Sequence, residues 1–476
     1  MASTQPNAGQ GPRLRRDLGP MQSYATIIGT LVGAGIFVVT GQAGADAGPG
    51  VVLAYLVLAP VILSTALAYS VYLSTPLGEK PGGAYIHMSR THGFYFLGYI
   101  LMWLKWVAFI GALGVLSLSL ARYLTFFLPD IDPTLTAVAV LAVFYLVNLV
   151  GVRYFGIAQV VMFLVLVAAI AILVVPGVFA IEASNLTPLL PFGWSGLLAV
   201  LAPLFFAYAG FESLAQTAGE TRDARRSLPR IFLLGVTASV VIYVSMSLVA
   251  FGVVPYQELA RSDAAMADVS SHYLPAGGAA VVAIGAIMAF TTSINASLMV
   301  PSRLLYVLAD DRVVPRFLAH VNHRWRTPDV ALTISAAVGV VLLSTRTLDY
   351  MLNVALQALF LLYGIHSLTM AALPFLRRGL YERANVRPPV WLLVPAGLFS
   401  AAWMGYFTYR TLPSVIGLLG VWTAVGAALY GAARWQGARE GFDYRRRLVE
   451  EWADEPLSPP TNASIAATTE TSSSAE

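Results

Sequence analysis

Apolar residues run along this chain in long, nearly unbroken stretches separated by short polar segments. A helix needs about 20 mostly apolar residues to cross a bilayer. Stretches of about that length, some a little shorter, lie near 20–41, 49–75, 93–124, 134–151, 154–181, 194–217, 231–254, 272–309, 330–345, 350–375, 389–409 and 412–434. Short segments of alternating polarity, the mark of a membrane β-barrel, are absent. The pattern predicts an all-α polytopic membrane protein with twelve transmembrane helices. Only Gly151-Val152-Arg153 separates the fourth from the fifth.

Two of these spans are interrupted. Gly33-Ala34-Gly35 falls in the middle of the first, and the sixth carries Pro203 early and Gly210 centrally. Glycine inside a helix costs about 1 kcal/mol relative to alanine, so each site invites the helix to open. The two lie five spans apart, so they cross the membrane in opposite directions. Glycines in membrane helices also permit close packing, but matched interruptions in opposite orientation are the pattern of an inverted-repeat transporter.

Composition agrees: 57% of the 476 residues are hydrophobic and 11% charged, against about 25% charged in ordinary soluble proteins. The net charge of +4 would suggest a nucleic-acid partner until the charges are placed. With twelve spans, 24 lysines and arginines fall on the side of the two termini and four on the other. The positive-inside rule then puts both termini in the cytoplasm, and the basic excess reports topology and anionic lipid, not nucleic acid. There is no cysteine, which excludes disulfides and thiolate metal sites. The histidines show no metal spacing, and no phosphate-cradling glycine loop with lysine is present, so ATP-driven transport has no support. Residues 1–19 and 436–476 lack apolar periodicity and are expected to be disordered cytoplasmic segments.

Four segments then form an ordered set. Gly33-Ala34-Gly35-Ile36-Phe37 in span 1 resembles the G-S/A-G-I-F signature of amino acid/polyamine/organocation permeases. Lys80-Pro81-Gly82-Gly83-Ala84-Tyr85 resembles that superfamily's P-x-G-G-x-Y loop. Phe206-Ala207-Tyr208-Ala209-Gly210-Phe211-Glu212, with Gly219-Glu220 and Arg226-Ser227-Leu228-Pro229-Arg230, resembles its span-6 signature. Ser302-Arg303-Leu304-Leu305-Tyr306, Asp310-Asp311 and Val314-Pro315 resemble the end of its span 8. The resemblance covers about residues 15–435. It implies two inverted five-helix repeats, about 20–181 and 194–375, with broken helices 1 and 6, and two added helices over 389–434.

A helix unwound in hydrocarbon needs partners for its backbone groups, and a zwitterionic amino acid offers matching charges. The half-helix starting near Ile36 presents N–H groups and a positive dipole end to a carboxylate. Gly33 and Gly35 let the ligand approach without a Cβ in the way. Carbonyls freed near Phe206, Ala207 and Tyr208 suit an ammonium group, with Ala209, Gly210 and Phe211 completing the break. The resemblance implies the same roles and makes Phe206 a gate over the substrate. Ala108 and Gly111 from span 3, Asn295 and Ser297 from span 8 and Tyr363 from span 10 are further wall candidates.

Charges inside membranes are costly and usually functional. Glu212 lies a half-turn past the second break, and Lys105 is the one lysine within any span. Their similar depth predicts a partly buried pair that responds to substrate or proton; some antiporters of the resembled superfamily carry a protonation-linked glutamate at the G-x-E position. Sodium-driven relatives use span-1 carbonyls and span-8 hydroxyls, for which Thr291, Thr292 and Ser293 are candidates, although such hydroxyls also bond back to their own helix. The lysine that some proton-coupled members carry in span 5 is missing here. A coupling proton, a coupling sodium ion and exchange therefore all remain open, with no organic cofactor. His366 reads as a lone packing histidine.

Small, apolar walls favour neutral amino acids; cationic amino acids or polyamines remain open if Glu212 faces the site. The expected activity is secondary transport across the plasma membrane. A membrane-embedded enzyme would need convergent ionisable groups, which the spans lack. A non-transporting amino acid receptor on the same fold is the competing class.

Overall fold

In the computed structural model, residues 16–449 are described apart from positions 34, 126, 263 and 345–347. The chain begins with α1 (Pro20–Leu31), opens, resumes as a π-helical turn over Gly35–Val39, and continues as α2 (Thr40–Ala47). There follow α3 (Gly50–Leu73), the short α4 (Ala84–His92), α5 (Phe96–Leu124), α6 (Pro133–Leu149) and α7 (Val152–Gly177). α8 (Gly193–Phe205) passes through a 3-10 turn over Phe206–Tyr208 to the one-turn α9 (Ser213–Gln216), then α10 (Ala224–Val253). Two short helices, α11 (Tyr256–Leu259) and α12 (Ala265–Ser271), precede α13 (Gly278–Asp310) and α14 (Asp329–Ser344). The described chain closes with α15 (Leu348–Leu376), α16 (Arg378–Glu382), α17 (Val390–Thr411), α18 (Ile416–Arg439) and α19 (Tyr444–Val449).

Among the described residues, ten helical segments are long and apolar enough to cross a membrane. The expected fourth and ninth spans are shorter: α6 has 17 residues and α14 has 16. At 1.5 Å per residue they fall somewhat below the ~30 Å hydrocarbon core. α6 starts where it does because Pro133 occupies its first turn and the Asp132 side chain accepts the Leu135 N–H at 2.7 Å, a helix cap.

Several boundaries differ from expectation. The eighth span starts at Gly278, because residues 272–277, with Pro275 and with Gly277 at a φ of +91°, form turns between it and the separate short helix Ala265–Ser271. The tail expected to be disordered from 436 is helical through Arg439 and again over Tyr444–Val449. That last helix is held by side chains: Tyr444 donates to the Arg312 carbonyl at 3.1 Å, and the Arg434 guanidinium sits 3.8 Å over the Tyr444 ring. Leu18, also expected in a disordered arm, is fully buried and bonds through its backbone to Glu220 and Arg222.

The interior is built from α1, α5, α8, α13 and α15. α5 packs on both α13 and α15, α3 on α10, α7 on α13, and α15 on α17. α18 is the least buried of the long helices and carries exposed Ile416, Val421 and Trp435, so it presents apolar side chains outward. One extensive apolar core joins the helices around the two broken ones.

Candidate functional site

The two breaks meet at the centre of the bundle. α1 ends where Val32 and Gly33 turn back, the Gly33 N–H bonding the Leu31 carbonyl at 2.7 Å. The turn starting at Gly35 has, as at any helix start, N–H groups without intrahelical partners. In the other break, Ala209 is extended and Gly210 takes a φ of +102°, a conformation open chiefly to glycine. A Cβ on Gly210 would also come within 2.7 Å of the Thr30 methyl. The segments fit together only because both are rich in small residues.

Between them lies a cavity of about 50 Å³. It is lined by Thr30, Leu31, Gly33 and Gly35 from the first break and by Phe206, Ala207, Ala209 and Gly210 from the second. Ala108, Phe109, Ala112 and Leu116 of α5, Ser293 and Ser297 of α13, and Ala355 and Leu359 of α15 close it. At roughly 10–15 Å³ of such volume per water, this is room for about four waters. The lining contains no charged side chain, and its side-chain polar atoms are the hydroxyls of Thr30, Ser293 and Ser297.

The residues expected here divide into two groups. Gly33, Gly35, Phe206, Ala207, Ala209, Gly210, Ala108, Ser293 and Ser297 line the cavity; Ala34 lies outside the described residues. Ile36, Tyr208, Phe211 and Gly111 do not line it. Ile36 is fully buried in the core. Tyr208 packs edge-on against Tyr55, and Phe211 stacks on Tyr363. Asn295 is turned away: its amide donates to Gln159 Oε1 at 2.9 Å and accepts from Asn148 at 3.0 Å, so its hydrogen-bonding capacity is spent between α6, α7 and α13.

The hydroxyls proposed for an ion are also engaged. Thr292 donates to the Gly29 carbonyl at 2.7 Å, and Ser293 lies 3.3 Å from the Thr30 carbonyl. The Gln159 amide, which sequence reasoning passed over, sits 3.3 Å from both the Ala25 and Thr292 carbonyls. It ties α1 to α13 with neutral donors.

Glu212 and Lys105 do meet. Lys105 Nζ lies 3.5 Å from Glu212 Oε1, with both side chains fully buried. The other carboxylate oxygen accepts the Gly210 N–H at 3.1 Å and the Tyr363 hydroxyl. Glu212 therefore stands one peptide behind the cavity wall, and Tyr363 serves the carboxylate instead of the cavity. Lys105 lies 5.1 Å over the ring of Phe109, itself a lining residue.

Tyr243 of α10 escaped the sequence reading. Its hydroxyl donates to the carbonyls of Leu31 and Ala207, one from each break. A tyrosine in the middle of an apolar span was the available signal, since a buried Tyr O–H ordinarily finds a partner.

At the end of the bundle that carries both described termini, the sequence motifs come together. Arg303 makes a two-point contact with Glu220, both bonds at 3.1 Å, with both side chains buried. Arg90 grips Asp311 at 2.6 and 3.1 Å, and Tyr85 donates to the same carboxylate at 2.9 Å. Burial alone would raise the Asp311 carboxyl, but the guanidiniums of Arg90 and Arg447 hold it below its ordinary value. Arg447 of α19 reaches both Asp310 and Asp311. Beside this cluster opens a wide vestibule of about 1470 Å³.

His366 is not alone. Its Nε2 lies 3.0 Å from Nδ1 of His87, and both rings are buried. Among the described residues no group of histidines and carboxylates has the arrangement of a metal site.

Residues 18–426 match the family described as "Amino acid permease". The chain is similar to a branched-chain amino acid permease of Bacillus subtilis (strain 168), 26% identical over 377 residues covering 74% of this chain and 80% of the relative. It is similar to a methylthioribose transporter of the same organism, 27% identical over 446 residues covering 88% and 93%. It is also similar to the chloroplastic cationic amino acid transporter 9 of Arabidopsis thaliana, 29% identical over 337 residues covering 66% and 58%.

Proposed function

Because the chain belongs to the amino acid permease family, we propose that it carries neutral amino acids across the plasma membrane by alternating access, with both termini in the cytoplasm. The observation that carries this reading is the cavity where the two helix breaks meet, walled by glycine, alanine and hydroxyl residues without a charged side chain. There the substrate carboxylate is met by N–H groups of the turn beginning at Gly35, and its ammonium by carbonyls of the second break. Small walls leave the side chain to apolar contact with Ala108, Phe109, Leu359 and Phe206. The branched-chain specificity of one relative agrees with this choice.

At about 50 Å³ the cavity is too small for such a substrate, so binding requires the breaks to move apart, with Phe206 as the gate. Support for two inverted repeats comes from reciprocal packing. α1 packs on α10 as α8 packs on α3, and α5 packs on α15 as α13 packs on α7. A twofold exchange of the two halves turns each contact into its counterpart.

The second reading, a cationic amino acid or polyamine substrate, is favoured by Glu212, one residue past Phe211 and bonded to Gly210. A cationic transporter among the relatives fits it as well. Uptake into proteoliposomes separates the readings: a panel of labelled amino acids and amines is offered with imposed proton or sodium gradients. Accumulation of leucine-like substrates supports the first, and accumulation of lysine or polyamines alone supports the second. Binding without flux would replace both with a receptor role.

A further inference from the structure

Among the described residues, the Tyr69 hydroxyl and His366 Nδ1 are buried without a hydrogen-bond partner, and Lys105 Nζ and Glu212 Oε1 have only their 3.5 Å contact with each other. They come from α3, α5, the second break and α15. Buried polar side chains are paired in the large majority of cases, so such a cluster needs a purpose. The Tyr69 and His366 rings pack together, although the Tyr69 hydroxyl and His366 Nδ1 make no hydrogen bond with each other or with Glu212. The Tyr69 ring is 4.2 Å from that of His366 and 6.4 Å from that of Tyr363, whose hydroxyl donates to Glu212. Tyr69 lies within electrostatic reach of Glu212, and His366 of Lys105.

On its other side His366 continues to His87 through the 3.0 Å contact of their ring nitrogens. His87 belongs to α4, the short helix that packs on α19 at the end carrying both described termini. Tyr72 stacks on the His87 ring at 4.6 Å. Burial, with His366 beside it, pushes the His87 imidazole well below its ordinary value, so at neutral pH it is an uncharged ring with one donor and one acceptor.

We propose that His87 and His366 are stations of a proton path joining the Glu212–Lys105 pair to the end of the bundle that bears the termini, which makes the coupling ion of this transporter a proton. The inference rests on the transport reading above and adds the ion and its route. Imidazole takes a proton on one nitrogen and gives one from the other. A proton received at His87 Nε2 releases the Nδ1 proton to His366 Nε2; His366 gives up its Nδ1 proton to the Tyr69 hydroxyl and Tyr69 its own to Glu212 when the three draw into hydrogen-bond contact, which they do not make in this conformation. Each ring gives up one proton for the one it takes, and the carboxylate ends as the neutral acid. Neutral Glu212 no longer holds Lys105 by charge and loosens its grip on the Gly210 N–H, so the proton acts on the turn that walls the cavity. The titratable groups facing this path are Tyr69 and Tyr72 from α3, Lys105 from α5, Glu212 from the break and Tyr363 from α15. Tyr85, Arg90 and Asp311 bond among themselves.

The test uses the full-length protein in liposomes loaded with a pH-sensitive dye, offered a panel of labelled proteinogenic amino acids. Wild type is expected to acidify or alkalinise the lumen in step with the accumulated amino acid. His366→Gln and His87→Gln should keep exchange of external for internal amino acid. Accumulation driven by a pH gradient should fall on the order of a hundredfold, the scale of losing a positioned proton carrier. Tyr69→Phe gives a third reading of the same loss should one histidine variant not fold. Accumulation by wild type without proton movement overturns the path and leaves the transport reading intact, as does full coupling in both histidine variants. Absence of flux for every amino acid, in accumulation and in exchange, overturns the transport reading itself.

Discussion

Gly35 lies so close to Ala207 that a Cβ on the glycine would fall 2.2 Å from the alanine Cα. Each break therefore supplies the surface on which the other rests. Gly33 is different, because its Cβ would meet Ser293 Oγ at 2.3 Å, and a hydroxyl can rotate away.

Gly35→Ala is thus expected to be the more damaging substitution. It forces backbone apart, with an overpacking cost of ~1–3 kcal/mol, and transport should nearly vanish while the protein still reaches the membrane. Gly33→Ala should retain measurable uptake. Equal activity of the two variants in a proteoliposome assay would contradict the packing described here.

Removing one member of a buried ion pair leaves the other uncompensated, at a cost of about 3–5 kcal/mol. Glu212→Gln alone should lower the melting midpoint of the detergent-solubilised protein markedly. Glu212→Gln combined with Lys105→Met should recover much of that loss without recovering coupled transport. A double variant no more stable than Glu212→Gln would show that the pair is not what Lys105 depends on.

Asp311 receives Arg90, Arg447 and Tyr85 at once, while Arg447 is partly exposed and also bonds Asp310. Asp311→Asn should therefore destabilise by about 3–5 kcal/mol, because it strands a buried guanidinium. Arg447→Ala should cost about 1 kcal/mol or less, the scale of an exposed pair. Protease accessibility of the α4–α5 connection is expected to rise in the first variant and change little in the second.

The histidine pair makes a pH statement. The His87 value is depressed in the folded protein, so folded chains bind fewer protons than unfolded ones in mild acid. Stability is then full above the ordinary histidine value of about 6.5 and falls as the pH drops from there toward the folded value. Asp311 is depressed too, so its contribution holds above the ordinary carboxylate range and is lost only in stronger acid. Melting midpoints between pH 8 and 5.5 should fall for wild type and fall less for His87→Gln. A parallel decline in both would assign the acid sensitivity to other groups.

Much of this architecture was legible in the sequence because hydrocarbon allows few solutions. Long apolar runs located the spans, and glycines at Gly33, Gly35 and Gly210 located the breaks. Glu212 and Lys105 were matched by depth alone, since two buried charges have few alternatives to each other. Contacts between distant segments were harder. His87 and His366 stand 279 positions apart, one of them in a segment read as a loop, and nothing in either neighbourhood marks the other. Asn295 was misplaced for a related reason: helical spacing gives depth but not rotation, and its amide was claimed by Gln159 and Asn148. Tyr243 was passed over because an apolar span hides a single hydroxyl.

The ion pairs at the end of the bundle that bears the described termini form two layers, and these respond differently to ionic strength. Arg303–Glu220 and Arg90–Asp311 are sealed from solvent, where mobile ions screen weakly. Arg16–Glu79 and Arg447–Asp310 stand at the partly exposed rim, where a screening length of about 8 Å at physiological salt weakens them. A change in salt on that side therefore relaxes the rim and leaves the inner pairs in place. That end of the bundle is thus held by desolvated contacts whose strength the surrounding electrolyte barely alters.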